Sequence, residues 1–184
     1  DKMFTLTDYS LDILKELDKP VNIAVFADEE QNNAMVRELL KKYKEANEKK
    51  INLVYIDADR DPLAVREYDL HNEGLANGNI LFEYMGKTKR IHDFELVKEN
   101  EFAPGKSFDG ERLFTGAILN ISADKIPKVY FSQGHQENDL DAELFKLKGR
   151  LESEAHLVET INLSLNRIDG ESTIIIASPK RDFD

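Results

Sequence analysis

The residues best suited to chemistry fall in one short stretch, Lys128–Leu140, which reads KVYFSQGHQENDL. An apolar run of Val129, Tyr130 and Phe131 leads into Ser132, Gln133, Gly134, His135, Gln136 and Glu137, and then into polar residues that open an apolar-periodic segment. Ligands of open α/β sheets bind beyond the carboxyl ends of strands, which is where this hexapeptide lies. On a functional reading Gly134 lets backbone approach a ligand, His135 serves as acid–base group or ligand, and Glu137 is its partner. An imidazole titrates near neutrality and so suits proton transfer. On an architectural reading Gly134 supplies a turn conformation, His135 is exposed, and Glu137 favours the start of the following helix. Residues 132–137 are therefore the candidate partner- or ligand-binding site, with the balance towards a strand-to-helix corner that a neighbour touches. No residue is assigned as catalytic or as a metal ligand.

Other constellations carry less. Asp57-Ala58-Asp59-Arg60-Asp61-Pro62 sets three carboxylates at alternate positions. An EF-hand Ca²⁺ loop requires Gly at its sixth place and Glu at its twelfth; here those places hold Pro62 and Tyr68. Asp61 reads instead as a helix cap and Arg60 as a screen for its neighbours. His71, His92 and His156 have no second histidine at ligand spacing and read as surface or structural residues. Ser132 and Ser178 follow apolar runs but lack the G-x-S-x-G context of a nucleophile elbow. Neither G-x-x-x-x-G-K-[ST] nor G-x-G-x-x-G occurs, so ATP and dinucleotides have no support, and no cofactor is expected.

The bulk composition agrees. With 25 basic against 36 acidic residues the net charge is −11. A nucleic-acid partner needs a basic face to displace counterions, and a bare anionic membrane surface makes the same demand. The one basic cluster, around Lys49 and Lys50, falls at a predicted helix end. Cysteine is absent, which removes disulfides, Cys-type zinc sites and thiol catalysis. No run of about 18 apolar residues and no signal peptide is present. The abrupt start at Asp1 and the stop at Asp184 just past an apolar run suggest native flanks beyond both ends.

The elements that must position these residues follow from periodicity. Thr7 caps a helix whose Leu6 and Leu11 form a staple and whose Ile13, Leu14 and Leu17 continue the buried stripe until Asp18-Lys19-Pro20. Val21–Phe26 reads as a strand. Met35, Val36, Leu39, Leu40 and Tyr43 recur at helical spacing. Ile51–Ile56 is the next strand, and Asp61-Pro62 opens a short helix to about Tyr68. Ile80–Tyr84 and Lys87–Ile91 form a hairpin about Met85-Gly86, its second strand an edge whose Lys87, Lys89 and Arg90 discourage stray pairing. After an irregular stretch, Asp109-Gly110-Glu111 opens a helix carrying Leu113, Ala117, Ile118 and Ile121. This order matches a thioredoxin-like layout. From Ile126-Pro127 the pattern restarts: a strand at Val129–Phe131, a helical stripe of Leu140, Leu144, Leu147 and Leu151, a strand at Val158–Leu163, and a buried strand at Thr173–Ala177. The expectation is an α/β chain: a thioredoxin-like unit over 1–122, a linker over 123–127, and over 128–184 the start of a parallel, Rossmann-like α/β unit. That second unit leaves one sheet face poorly covered, as if cut short or completed by a partner.

Several stretches, in order, resemble the soluble region of GldG-like auxiliary proteins of ABC-type transport systems, a family first described in bacterial gliding motility. They are Phe4–Pro20 (FTLTDYSLDILKELDKP), Val54–Tyr68 (VYIDADRDPLAVREY), Glu111–Ile121 (ERLFTGAILNI), Lys128–Glu137 (KVYFSQGHQE) and Ile174–Asp182 (IIIASPKRD). The chain departs from the family at Gln136, where glycine is frequent. The resemblance implies a non-catalytic, extracytoplasmic domain, anchored in the membrane only through segments missing from this chain. Its implied partners are the permease and ATPase subunits of the transporter, engaged by protein–protein contacts. Two other readings stay open: a hydrolase or sugar- or nucleotide-binding domain using His135 and Glu137, and a domain binding a cationic or neutral envelope polymer.

Overall fold

The computed structural model describes residues 5–99, 105–168, 170 and 172–182; Phe4, which opens the first resembling stretch, lies outside them. The chain is α/β and divides into two compact units, Asp1–Ser122 and Ala123–Asp184.

In the first unit, α1 (Asp8–Lys15) starts where expected. Thr7 Oγ1 accepts from Ser10 N, and the first turn carries Asp8. β1 (Val21–Phe26) and α2 (Ala34–Ala46) follow, the helix capped by Asn33 Oδ1, which accepts from Met35 N at 2.9 Å. Then come β2 (Ile51–Ile56) and α3 (Pro62–Tyr68), where Asp61 Oδ1 accepts from Ala64 N at 2.9 Å. β3 (Asn79–Tyr84) and β4 (Lys87–His92) form the hairpin, with Met85 and Gly86 both at positive φ in its turn. The sheet order is β2-β1-β3-β4, with β1 and β2 parallel and β3 antiparallel to both its neighbours. β4 is an edge, and Lys87 and Lys89 stand exposed on it.

The stretch expected to be irregular contains a 3₁₀ turn over Asp93–Leu96 and a small antiparallel pair, β5 (Val97–Glu99) with β6 (Lys106–Phe108). Its polar residues hide the strand pattern. α4 (Gly110–Ser122) closes the unit. Its apolar face meets one face of the sheet, so Phe114 packs edge-on against Tyr43 (centroids 6.1 Å apart) and tilted against Phe82 (5.4 Å). Glu111 fastens α1 to α4: its Oε1 accepts from Thr7 N (2.7 Å), Thr7 Oγ1 (2.8 Å) and Ser10 Oγ (2.7 Å). The Tyr43 hydroxyl, buried beneath, donates to Glu111 O at 3.0 Å and hydrogen-bonds Thr115 Oγ1. Burial pushes its pKa far up, so it stays a neutral donor. Met35, placed in the buried stripe by its spacing, is exposed; α2 turns Val36, Leu39, Leu40 and Tyr43 inward instead.

The second unit has three parallel strands, β7 (Lys128–Ser132), β8 (Leu157–Ile161) and β9 (Ser172–Ile175), in the order β8-β7-β9. Between β7 and β8 lies α5 (Phe145–Ser153). Three expectations are corrected here. The helix begins at Phe145, not near Leu140, because the Asp139 carboxylate takes Asp141 N (2.8 Å) and Ala142 N (2.9 Å) and holds residues 139–143 in turns. Leu140, Leu144 and Leu151 reach the core from turn and helix together, while Leu147 is exposed. β8 stops at Ile161, where Asn162 O accepts from Leu165 N and Asn166 N and turns the chain. The third concerns the strand at Thr173–Ala177: β9 ends at Ile175 and is half-exposed, with Ile174 at 41% and Ile176 at 49%. Val129, Phe131 and Val158 share the covered face; Ile174 points to the other.

Candidate functional site

The order β8-β7-β9 places β7 between strands reached by connections leaving to opposite sides. Such a switch point opens a crevice at the carboxyl ends of strands, and residues 132–137 lie at its mouth. In this unit backbone fills it. His135 O accepts from Lys180 N (3.0 Å) and Arg181 N (3.2 Å), Asn138 N donates to Ala177 O (3.0 Å), and Gln133 N donates to Ile161 O (2.8 Å). The end of β8 and the segment after β9 are thereby stitched to the loop after β7.

Each candidate residue has a definite place. Gly134 has φ +117°, and a Cβ built on it would stand 2.7 Å from Asn162 Nδ2, so both backbone conformation and space demand glycine. Gln136 is also in the left-handed region, at φ +59°. Gln133 and Gln136 are exposed, whereas Ser132 is buried. His135 and Glu137 turn inward, their side chains only 11% and 2% exposed. An exposed His135, the architectural expectation, is thus corrected. Glu137 does not start a helix either, since α5 lies well beyond it.

Glu137 organises the loop. Its Oε2 accepts from His135 N at 2.7 Å, its Oε1 accepts from Ser132 Oγ at 3.0 Å, and His135 Nδ1 lies 3.5 Å from Oε1. Removal from water pushes its pKa up. The backbone N–H groups of Glu137 itself and His135, with the Ser132 hydroxyl and the His135 ring, outweigh that and hold the carboxyl below its ordinary 4.5. A general acid or base working near neutrality needs a displacement in the other direction.

Linkage fixes the acid response. The folded pKa lies below the unfolded one, so the carboxylate's contribution is full above pH 4.5 and vanishes as pH falls through the folded value. Amide-exchange protection in β7, β8 and β9 is therefore expected to decline as pH drops below 4.5. Glu137→Gln should show lower protection at neutral pH and a flatter acid profile. Gln136→Gly offers a second check. It relieves the cost of a side chain at positive φ but adds unfolded-chain entropy, so thermal melting should show a change between zero and about 1 kcal/mol of added stability.

A cavity of about 230 Å³ adjoins the loop on its β8 side, bordered by Ser132, Gly134, Glu137, Asp139, Asp141 and Thr160. His135 does not line it. Asp139 caps the turn described above, and Asp141 is paired with Lys148 at 2.6 Å.

The remaining sequence candidates have local roles. Asp57 is engaged by Asn77 Nδ2 (3.1 Å) and Arg60 Nε (3.2 Å), while Asp59 Oδ2 takes the same Asn77 amide at 3.0 Å. Arg60 also reaches Asp28 at 3.1 Å, so it screens its neighbours as expected. His92 Nδ1 meets Asn79 Nδ2 at 3.0 Å, and His156 Nδ1 meets Leu151 O at 3.2 Å; His71 is exposed. Sequence reasoning missed a second cavity, of about 280 Å³, at the carboxyl end of β1. Its available signals were the Asn32-Asn33 pair between strand and helix and an aromatic, Phe94, outside any apolar period.

The class so defined is an α/β protein with a four-stranded mixed sheet in its first unit and a three-stranded parallel sheet in its second. A family described as Domain of unknown function (DUF7088) matches residues 1–93, and the chain belongs to it. No curated protein matches the chain. The matched residues run from α1 through β4 and do not include the loop after β7.

Proposed function

We propose that this chain is a non-catalytic module acting through protein–protein contacts in an ABC transporter assembly, on the outer side of the cytoplasmic membrane. In this reading a thioredoxin-like first unit, lacking any thiol, is the scaffold. The Rossmann-like second unit presents the loop Ser132–Glu137 to the permease subunit of the same system, whose outward-facing parts share its side of the membrane. One observation carries the reading: the Glu137 carboxylate is engaged by its own loop, through His135 N, Ser132 Oγ and the His135 ring, and is held ionised. What faces outward is the carboxamide pair Gln133 and Gln136, which suits surface recognition.

The resemblance to GldG-like proteins supports the assignment to a transporter. Two of the stretches that carry it, Lys128–Glu137 and Ile174–Asp182, meet in space through the bonds of His135 O to Lys180 N and Arg181 N. No described helix is long and apolar enough to cross a membrane; the proposal assigns attachment to segments outside this chain. A photo-crosslinking amino acid at Gln136, introduced into the full-length protein in native membranes, tests the proposal. Capture of the permease is expected, and failure to capture it from Gln133 or Gln136 overturns the proposal.

A further inference from the structure

A cleft of about 280 Å³ opens at the carboxyl end of β1. It lies in the first unit and owes nothing to the loop after β7. Its floor is apolar, from residues 25–27 at the end of β1 with Val36 and Ile80; its polar wall is formed by Gln31, Asn32 and Asn33 about the start of α2, by Gly78 and Asn79 at the start of β3, and by Asp93, with Phe94 beside it.

Three features distinguish it from a packing defect. Phe94 is 72% exposed, yet its ring is fixed, stacked on the His92 imidazole with centroids 4.9 Å apart and planes 17° from parallel. His92 is held in turn by the buried Asn79, whose Nδ2 meets Nδ1 at 3.0 Å, and its backbone N donates to Glu95 Oε1 at 2.7 Å. The core makes no use of this aromatic plate, and a single stack occupies one face of the ring. Second, Asn32 Oδ1 is committed to Asn33 N (2.8 Å), while its Nδ2 is buried with no hydrogen-bond partner. A buried donor left unmatched is costly, and Asn32 lines the cleft, where a ligand would bring hydrogen-bond acceptors. Third, Gly78 has φ +94°, and a Cβ there would stand 3.1 Å from Asp93 Oδ2. Glycine lets that carboxylate stand against the cleft wall. Gly78 is itself fixed, its N bonded to Phe26 O and its O to Asp93 N, each at 2.8 Å.

We propose that this cleft binds a neutral pyranose ring, one residue of a glycan, stacked on Phe94 and held by the carboxamides and Asp93. The negative face of an aromatic ring attracts the polarised C–H groups on one side of a sugar. Sugar hydroxyls donate and accept, so they suit Asn32 and Gln31, which do both, and Asp93, which only accepts. Asp93 and the net charge of −11 disfavour an anionic ligand. The volume falls just below the roughly 300 Å³ where pockets for drug-sized ligands begin, which is room for one ring. An extended peptide would find no free strand edge here, because β1 and β3 both have neighbours on each side.

The test is amide NMR of the whole chain titrated separately with maltotetraose, mannotetraose and chitotetraose at millimolar concentration. An acidic uronate tetrasaccharide and an unrelated tetrapeptide serve as comparisons. Shifts confined to Asn32, Asn33, Gly78, Asn79 and Phe94 are expected with at least one neutral sugar. Phe94→Ala should weaken binding about tenfold with the melting temperature unchanged, and Phe94→Tyr should retain it. The proposal is overturned if no neutral sugar shifts these amides, if Phe94→Ala binds as well as the parent, or if the uronate or the peptide binds in preference.

Discussion

Phe114→Ala should cost the first unit about 3–5 kcal/mol, the range for deleting a fully buried aromatic ring. Phe114 stands where α4 meets the sheet. It touches the rings of Tyr43 and Phe82 and belongs to the cluster that also holds Ile23, Leu39, Leu40 and Ile118. Its removal opens a void that cannot collapse, because Tyr43 is tied through its hydroxyl to Glu111 O and Thr115 Oγ1. Glu111 in turn fastens α1. Domains are stable by only about 5–15 kcal/mol, so a large fraction of the unit's stability is at stake. Calorimetry of the intact chain should show one melting transition lowered by about 10 °C or more. A loss under about 1 kcal/mol would mean that α4 does not seat on the sheet as described.

Gly134→Ala should be the largest single change available in the loop after β7, at about 2–3 kcal/mol. Two penalties combine: a residue with Cβ at φ +117°, and a contact of 2.7 Å with Asn162 Nδ2. Asn162 cannot simply give way. Its Oδ1 accepts from Ser164 N at 3.0 Å, and its carbonyl takes Leu165 N and Asn166 N. Gly149→Ala in α5 is the natural control, because nothing lies within 4 Å of its Cβ position and its backbone is helical. It should stabilise by about 0.5–1 kcal/mol. Urea denaturation of both variants reads the contrast, and equal effects would refute the geometry of the corner.

The difference between these glycines shows where sequence is informative. α2 and α4 were legible because their apolar residues repeat at helical spacing, and α4 also because Asp109-Gly110-Glu111 opens it. The strands VNIAVF and INLVYI were legible as short apolar runs. The start of α5 was not, because Leu140 and Leu144 continue a helical period that Asp139 interrupts with its own hydrogen bonds to backbone. The exposure of Ile174 was hidden because an apolar residue does not announce which face of a sheet stays uncovered. At the candidate site the residue types and the strand-end position could be read. The inward turn of His135 and Glu137 could not, since it depends on residues 177–181 arriving from far along the chain to bond His135 and Asn138. The cleft beside Phe94 escaped for the same reason: four separate segments assemble it.

Under the proposed function, His135 and Glu137 build a corner and break no bonds. The measurement that tests it most directly is turnover by the purified chain across ester, glycoside and phosphoester substrates, with His135→Ala alongside. No hydrolysis that depends on His135 is predicted, and the variant should differ only in the stability of its second unit. Steady turnover by the parent chain, lost in a folded His135→Ala protein, would contradict the account.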